Sequence, residues 1–152
     1  MKQQNNKKGS KYIKDNESKA GVNFIALKTP KDMLRDMPRI FNELGNGNMD
    51  IDKYGFIFVS PQFIQAGTQY CQEQLAILNS LYRAYSALYN SGTMLQNEID
   101  IYNTIITKIN MYQYIYNIIC IVDRDKSYQP MKKLQYDLST NYRNFIQRGV
   151  SI

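Results

Sequence analysis

Hydrophobic side chains recur every three or four residues through two long neighbouring stretches of the chain. The first stretch carries Cys71, Leu75, Leu78, Tyr82, Tyr85 and Tyr89 at this spacing. The second carries Leu95, Ile99, Tyr102, Ile106, Ile109, Tyr112, Tyr116 and Ile119. Steps of three and four place side chains on one face of a helix, so the pattern predicts two long helices between residues 61 and 123 that pack along their lengths.

The residues that flank and connect these two stretches are typical of helix ends. Ser60-Pro61 supplies a cap and a first-turn proline for the first helix. Gly92 can take the left-handed conformation that ends it. Thr93 then fits the cap of the second helix, with Gln96 completing a capping box. The sequence therefore predicts a long antiparallel helical hairpin.

A shorter helix is predicted before the hairpin. Thr29 and Pro30 form a helix start, with Asp32 in the positively polarised first turn. Gly45 is a plausible end, and Pro38 should kink or split the helix. Its apolar face would consist of Met33, Leu34, Met37, Ile40, Phe41 and Leu44.

Two short apolar segments favour strands. Residues 54–60 (YGFIFVS) are β-branched and aromatic and are bounded by turn residues. Residues 22–28 (VNFIALK) offer a second strand. We expect the two to pair as a small two-stranded element that leans on the hairpin, because such a sheet is marginal alone.

The last predicted helix begins at Pro130 and ends near Gly149. Its apolar stripe is Met131, Leu134, Leu138, Tyr142, Phe145 and Ile146, and its opposite face carries Lys132, Lys133, Arg143 and Arg148. The predicted fold class is therefore mainly α: a long antiparallel hairpin, two shorter helices and a small two-stranded β element. Residues 21–152 would form a single helical domain preceded by a basic arm at residues 1–20.

The arm contains most of the net charge. It contains six lysines and only two acidic residues, Asp15 and Glu17, so its net charge is +4 of the chain's +6. A segment this polar cannot bury enough apolar surface to order itself, so we expect it to be disordered or extended. It is either a solvated tail or a contact for an anion or partner, DNA included, through Lys2, Lys7, Lys8, Lys11 and Lys14.

Candidate chemistry is sparse. The chain has no histidine, which removes the commonest general base and metal ligand. Neither Glu98 with Asp100 nor Asp123 with Asp125 forms a convincing acid–base pair, because residues two apart diverge on a helix. We find no phosphate-binding glycine loop and no nucleophile motif. The expectation is a protein that is not an enzyme and needs no cofactor or metal.

Cysteine spacing and hydropathy set two further expectations. Counted from the turn, Cys71 and Cys120 should lie roughly 12 Å apart along the hairpin, too far for a disulfide, so both are expected to be buried thiols. Mean hydropathy is −0.49, and the apolar run at residues 109–122 is short and interrupted. A bilayer span needs about 20 mostly apolar residues, and no signal peptide is visible. We therefore expect a cytoplasm-like location and no membrane contact.

The predicted hairpin is unusually poor in charge. Residues 62–90 contain only Glu73 and Arg83, and residues 101–122 contain only Lys108. An amide repeats every seventh residue at Gln96, Asn103, Asn110 and Asn117. Protein interfaces are enriched in aromatic residues and depleted in lysine and glutamate. Alternatively, an Asn-, Ile- and Tyr-rich composition reflects an AT-rich genome, and the stripe marks only the outer face. We predict an oligomer interface at Tyr82, Tyr85, Tyr89, Asn103, Asn110, Tyr114 and Asn117.

This combination of an arm, a small sheet, a long helical hairpin and a shorter C-terminal helix over residues 22–152 resembles the small neck proteins of tailed bacteriophages. The Asn/Tyr/Ile-rich, histidine-free composition is similar to virion proteins of crAss-like phages. The resemblance implies a head-to-tail connector whose copies form a ring beneath the portal. Its partners would be copies of itself and other neck or portal proteins. It would be located in the virion, which is assembled in the host cytoplasm. It carries over no individual functional residue.

Two other functions compete with this interpretation. The first is a small nucleic-acid-binding protein that uses the Lys-rich arm and the face from Lys132 to Arg148. Against it, the aromatic residues do not interleave with the basic ones as a stacking platform requires. The second is an adaptor that binds a partner helix in a groove beside the hairpin.

Overall fold

The computed structural model describes residues 27–142. Within that range the chain forms five α-helices and one π-helical turn, which confirms the mainly helical prediction. They are α1 (Pro30–Gly45), α2 (Ile51–Phe58), α3 (Pro61–Ser91), α4 (Gln96–Asp125), α5 (Gln129–Asp137) and the π-helical turn Leu138–Tyr142. The basic arm, Val22–Ala26, and the last predicted turns with Arg143, Phe145, Ile146, Arg148 and Gly149 lie outside the described residues.

Helix α1 begins and ends where the sequence indicates. The Thr29 hydroxyl accepts a hydrogen bond from the Asp32 amide at 3.2 Å, and Pro30 occupies the first turn. The helix ends at Gly45. It is not split at Pro38, which lies inside the continuous helix with an exposed ring. The predicted apolar face is buried, with Met33, Met37, Ile40, Phe41 and Leu44 fully shielded from solvent.

The predicted strand at residues 54–60 is wrong, because this segment lies mostly in α2. The Asp50 carboxylate accepts hydrogen bonds from the Asp52 and Lys53 amides and so caps a helix start. Ile51, Tyr54 and Phe58 then follow at helical spacing and are buried. A local aromatic and β-branched preference is a weak signal, and here the cap and tertiary burial override it. No strand occurs in residues 27–142, so the β element is unsupported there.

The two longest helices form the predicted hairpin, with one error at the connection. Ser60 caps α3, and Gly92 ends it with φ of +77°. Thr93 does not cap α4. The second helix starts after Leu95, whose amide donates to the Glu98 carboxylate at 2.8 Å. The two helices run antiparallel, as the ring contact of Tyr82 with Tyr102 and the close approach of Gly67 to Ile119 show.

The cysteines are both free thiols, but only one is buried. Cys71 is fully buried, whereas Cys120 is exposed, so the prediction that both are buried is wrong for Cys120. Cys120 follows the buried Ile119 and therefore points about 100° away from the core. Burial raises the pKa of the Cys71 thiol to about 12, and Cys120 adds to the rise. The folded state thus keeps a proton that the unfolded chain loses, and stability falls as the pH rises from about 9 towards 12.

The hydrophobic core lies at one end of the hairpin. Helices α1, α2 and α5 pack around the part of α3 that precedes Leu78 and the part of α4 that follows Thr104. At its centre the Phe58 and Phe63 rings meet edge to face with centroids 5.0 Å apart. Beyond Leu78 no residue of α3 is buried, and before Thr104 no residue of α4 is buried. We call residues 79–103 the distal hairpin. Among residues 27–142, no helix is long and apolar enough to span a bilayer.

Candidate interaction surfaces of the hairpin

The distal hairpin leaves apolar and aromatic side chains in contact with solvent. Neither helix buries a residue in this part, so the two helices cover only one another. Tyr89 is 56% exposed, Leu95 64% and Leu88 37%. Exposed side chains of this kind on a charge-poor helix pair favour a protein interaction surface.

The repeated amides form a continuous exposed stripe along α4, which we call the amide face. Gln96, Asn103, Asn110 and Asn117 are all exposed. Beside Asn110, the two helices enclose a crevice of about 210 Å³ whose walls include Tyr82 and Ile106. Polar amide groups therefore border an apolar recess, an arrangement that suits the rim and centre of an interface.

Three tyrosines stack beside this crevice. The Tyr102 ring lies between two α3 tyrosines, with centroids 5.7 Å from Tyr82 and 5.4 Å from Tyr89. The planes are inclined by only 18° and 29°. Such stacking fixes the rings before any partner binds, which lowers the entropy cost of association. All three tyrosines have the helical spacing of the packed seam, and Tyr82 and Tyr89, but not Tyr102, were predicted from the sequence as interface residues.

The remaining two predicted interface tyrosines are engaged within the chain. Tyr85 is partly buried against the core. The Tyr114 hydroxyl donates a 2.7 Å hydrogen bond to the Asp137 carboxylate and so joins α4 to the end of α5. Burial and this carboxylate together raise the pKa of Tyr114 to about 12. Burial opposes ionisation of Asp137, but hydrogen bonds from Tyr114 and Lys133 outweigh it and lower the pKa of that carboxyl.

We expect Tyr114→Phe to lower the free energy of unfolding by about 1 kcal/mol, because it removes a hydrogen bond to a carboxylate at a partly solvated position. The control is Tyr136→Phe, since Tyr136 is 68% exposed, and it should be neutral. The loss should begin to shrink as the pH falls below about 3.8, the ordinary pKa of this carboxyl in the unfolded chain, and should vanish as the pH falls through the lowered pKa of Asp137 in the folded protein. Urea denaturation at several pH values measures it, and equal losses in both variants would contradict the assignment.

The opposite side of the hairpin is aliphatic. Ile77 and Asn79 flank the buried Leu78, so they point about 100° to either side of it. Ile77 is 56% exposed and shares its side with Leu81 and Leu88, four and eleven residues further on. A crevice of about 150 Å³ opens here, and we call it the lysine crevice. It is lined by Gln74, Ile77, Leu78, Leu81, Lys108 and Tyr112.

Lys108 is the charged member of the lysine crevice. It is partly buried, and burial lowers the pKa of its ammonium group. No described residue offers it a hydrogen bond or an ion pair. The sequence identified Lys108 only as a solitary charge. The helical spacing of Ile77, Leu81 and Leu88 is a sequence signal for the apolar side on which Lys108 lies, but it did not enter the sequence-based prediction.

The described part of the chain carries no net charge. Residues 27–142 contain 11 lysines and arginines and 11 aspartates and glutamates. The predicted basic face of the last helix is also locally compensated, because Lys132 pairs with Asp52 and Lys133 with Asp137. The positive charge of the protein therefore resides in its terminal segments. The net charge of the described residues therefore gives no support to a nucleic-acid interface there.

The acidic pairs examined in the sequence have structural roles. Glu98 caps α4, and Asp123 and Asp125 pair with Lys126 and Arg124. In the part of the chain that the structure covers, no three His, Cys, Asp or Glu side chains cluster as metal ligands would. Comparisons with protein families, curated proteins and solved structures gave no match.

Proposed function

We propose that this protein is a non-enzymatic structural subunit of a homo-oligomeric assembly, a head-to-tail connector ring of a tailed-phage virion. The observation that carries the proposal is the exposed amide face beside the stacked tyrosines of the distal hairpin. Its partners would be copies of itself and other neck or portal proteins.

The length of the hairpin supports a role as a ring subunit that contacts its neighbours along its long axis. Helix α3, the longer helix of the hairpin, has 31 residues and is therefore about 46 Å long at 1.5 Å per residue. Helices α1, α2 and α5 pack at one end of the hairpin, which leaves the distal hairpin free to contact a neighbour along its length. A ring requires two different surfaces on each subunit, and the amide face supplies one of them.

The interface is tested by placing a charge on the amide face. Asn110→Glu puts a carboxylate beside the crevice that Tyr82 and Ile106 line. Burying an unpaired charge in an interface is costly, so we expect at least a tenfold weaker self-association. Gln129→Glu, at an exposed site at the start of α5, is the matched control. The measurements are solution mass by light scattering and electron microscopy of the particles.

Closed rings that dissociate with Asn110→Glu but persist with Gln129→Glu would support the proposal. Rings that survive both substitutions would place the interface elsewhere. Neutralising the six arm lysines separates assembly from the nucleic-acid alternative. Self-association through the hairpin should survive the change, whereas nucleic-acid binding through the arm should collapse and lose its salt dependence.

A further inference from the structure

The lysine crevice contains an unsatisfied cation. Lys108 is partly buried among Ile77, Leu81 and Tyr112 and has no partner among the described residues. The other partly buried charges of the described chain are engaged, as in the pairing of Lys28 with Asp36 and of Asp137 with Lys133. A partly desolvated charge without a partner costs free energy. The crevice is therefore suited to an apolar side chain accompanied by a carboxylate.

The carboxylates of the described chain are already occupied. The carboxylates of all 11 aspartates and glutamates in residues 27–142 accept a hydrogen bond or form an ion pair. The remaining side-chain carboxylates are Asp15 and Glu17. They lie two and four residues after Ile13, which forms an apolar pair with Tyr12, and Lys14 stands between Ile13 and Asp15. This short stretch therefore contains both the apolar side chains and the carboxylates that suit the lysine crevice.

The arm is long enough to reach the crevice. Glu17 lies ten positions before Leu27, where the described chain begins, and these ten steps span about 33 Å when extended. Lys108 lies near the middle of α4, so no point along the hairpin axis is more than about 25 Å away from it. Tethering also gives the segment a millimolar effective concentration, which favours it over an untethered ligand.

We propose that residues 12–17 of the arm dock on the lysine crevice of their own chain, with Asp15 or Glu17 paired to Lys108 and Ile13 or Tyr12 beside Ile77 and Leu81. The docked segment covers the aliphatic side of the hairpin and leaves the amide face free. Lys2, Lys7, Lys8 and Lys11 precede the anchor and remain available to an anion or a partner. The proposal holds whether or not the protein assembles.

The test is zero-length carbodiimide cross-linking of the full chain, followed by peptide mapping. We expect a cross-link from Lys108 to Asp15 or Glu17. Lys31 is the control, because it is exposed and also lacks a partner among the described residues. An equal mixture of unlabelled and ¹⁵N-labelled protein identifies the chain of origin. Cross-linked peptides of uniform isotope content support docking within one chain, and mixed-isotope pairs assign the occupant to a second copy and overturn the proposal.

A thermal double-mutant cycle gives an independent readout. We expect Asp15→Asn with Glu17→Gln to lower the melting temperature by about 3 °C when Lys108 is present. The same pair of changes should have no effect in a Lys108→Met background. Equal shifts in both backgrounds, or a Lys108 that cross-links to the arm no more than Lys31 does, would overturn the proposal. Neither result depends on ring formation, so this inference and the proposed function fail separately.

Discussion

Replacement of Phe63 by alanine is expected to lower the free energy of unfolding by about 4 kcal/mol. Phe63 is fully buried in the first turn of α3, and its ring meets Phe58 edge to face. It joins α2 to the base of the hairpin, so its removal leaves a cavity that the surrounding helices fill only partly. Urea denaturation followed by circular dichroism measures the loss.

The neighbouring helix supplies a matched control of the same residue type. Phe56 lies on α2 but is 44% exposed, so Phe56→Ala should change the free energy of unfolding by no more than about 0.5 kcal/mol. Equal losses for the two alanine variants would show that the core is not centred on the α2–α3 junction.

The second large effect is expected at Gly55, where the backbone of α2 lies against the Tyr128 ring. A Cβ atom at this position would lie 2.5 Å from ring atoms Cγ and Cδ2 of Tyr128. Alanine normally favours a helix over glycine by about 1 kcal/mol. Here the clash should reverse the sign, and we expect Gly55→Ala to destabilise the protein by about 2 kcal/mol.

The sign of this change makes it diagnostic. In a Tyr128→Ala background the ring is absent, so the same Gly55→Ala substitution should be neutral or stabilising. The four proteins form a thermodynamic cycle whose coupling energy reports the packing of α2 on the α4–α5 connection. A stabilising Gly55→Ala in the unmodified background would contradict that packing.

The sequence predicted the parts of the fold that depend on local capping and long periodicity. The caps at Thr29 and Ser60, the left-handed Gly92 and the long apolar repeats are short-range signals, and the structure contains all of them. The helix at residues 51–58 was missed because its aromatic and β-branched residues fit either period over so few positions. Its helical state depends on the Asp50 cap and on burial against other helices.

The surfaces were predictable only in outline. The amide repeat is exposed as expected, since a seven-residue period keeps side chains on one helix face. The predicted connection is too short. The N-cap of α4 is Leu95, whose amide donates to the Glu98 carboxylate, and this cap lies two residues after the predicted cap Thr93. The crevice around Lys108 forms only when α3 and α4 pack in a particular register. The apolar period shows which face of each helix packs but not the axial offset between the two helices, so periodicity alone did not reveal the crevice.

Self-assembly through the charge-poor hairpin is tested most directly by the absolute mass of the purified protein in solution. Multi-angle light scattering after nuclease treatment, in moderate salt, removes nucleic acid as a bridging agent. We expect a species of many subunits that persists on dilution. A single 17.8 kDa monomer at all concentrations would contradict it.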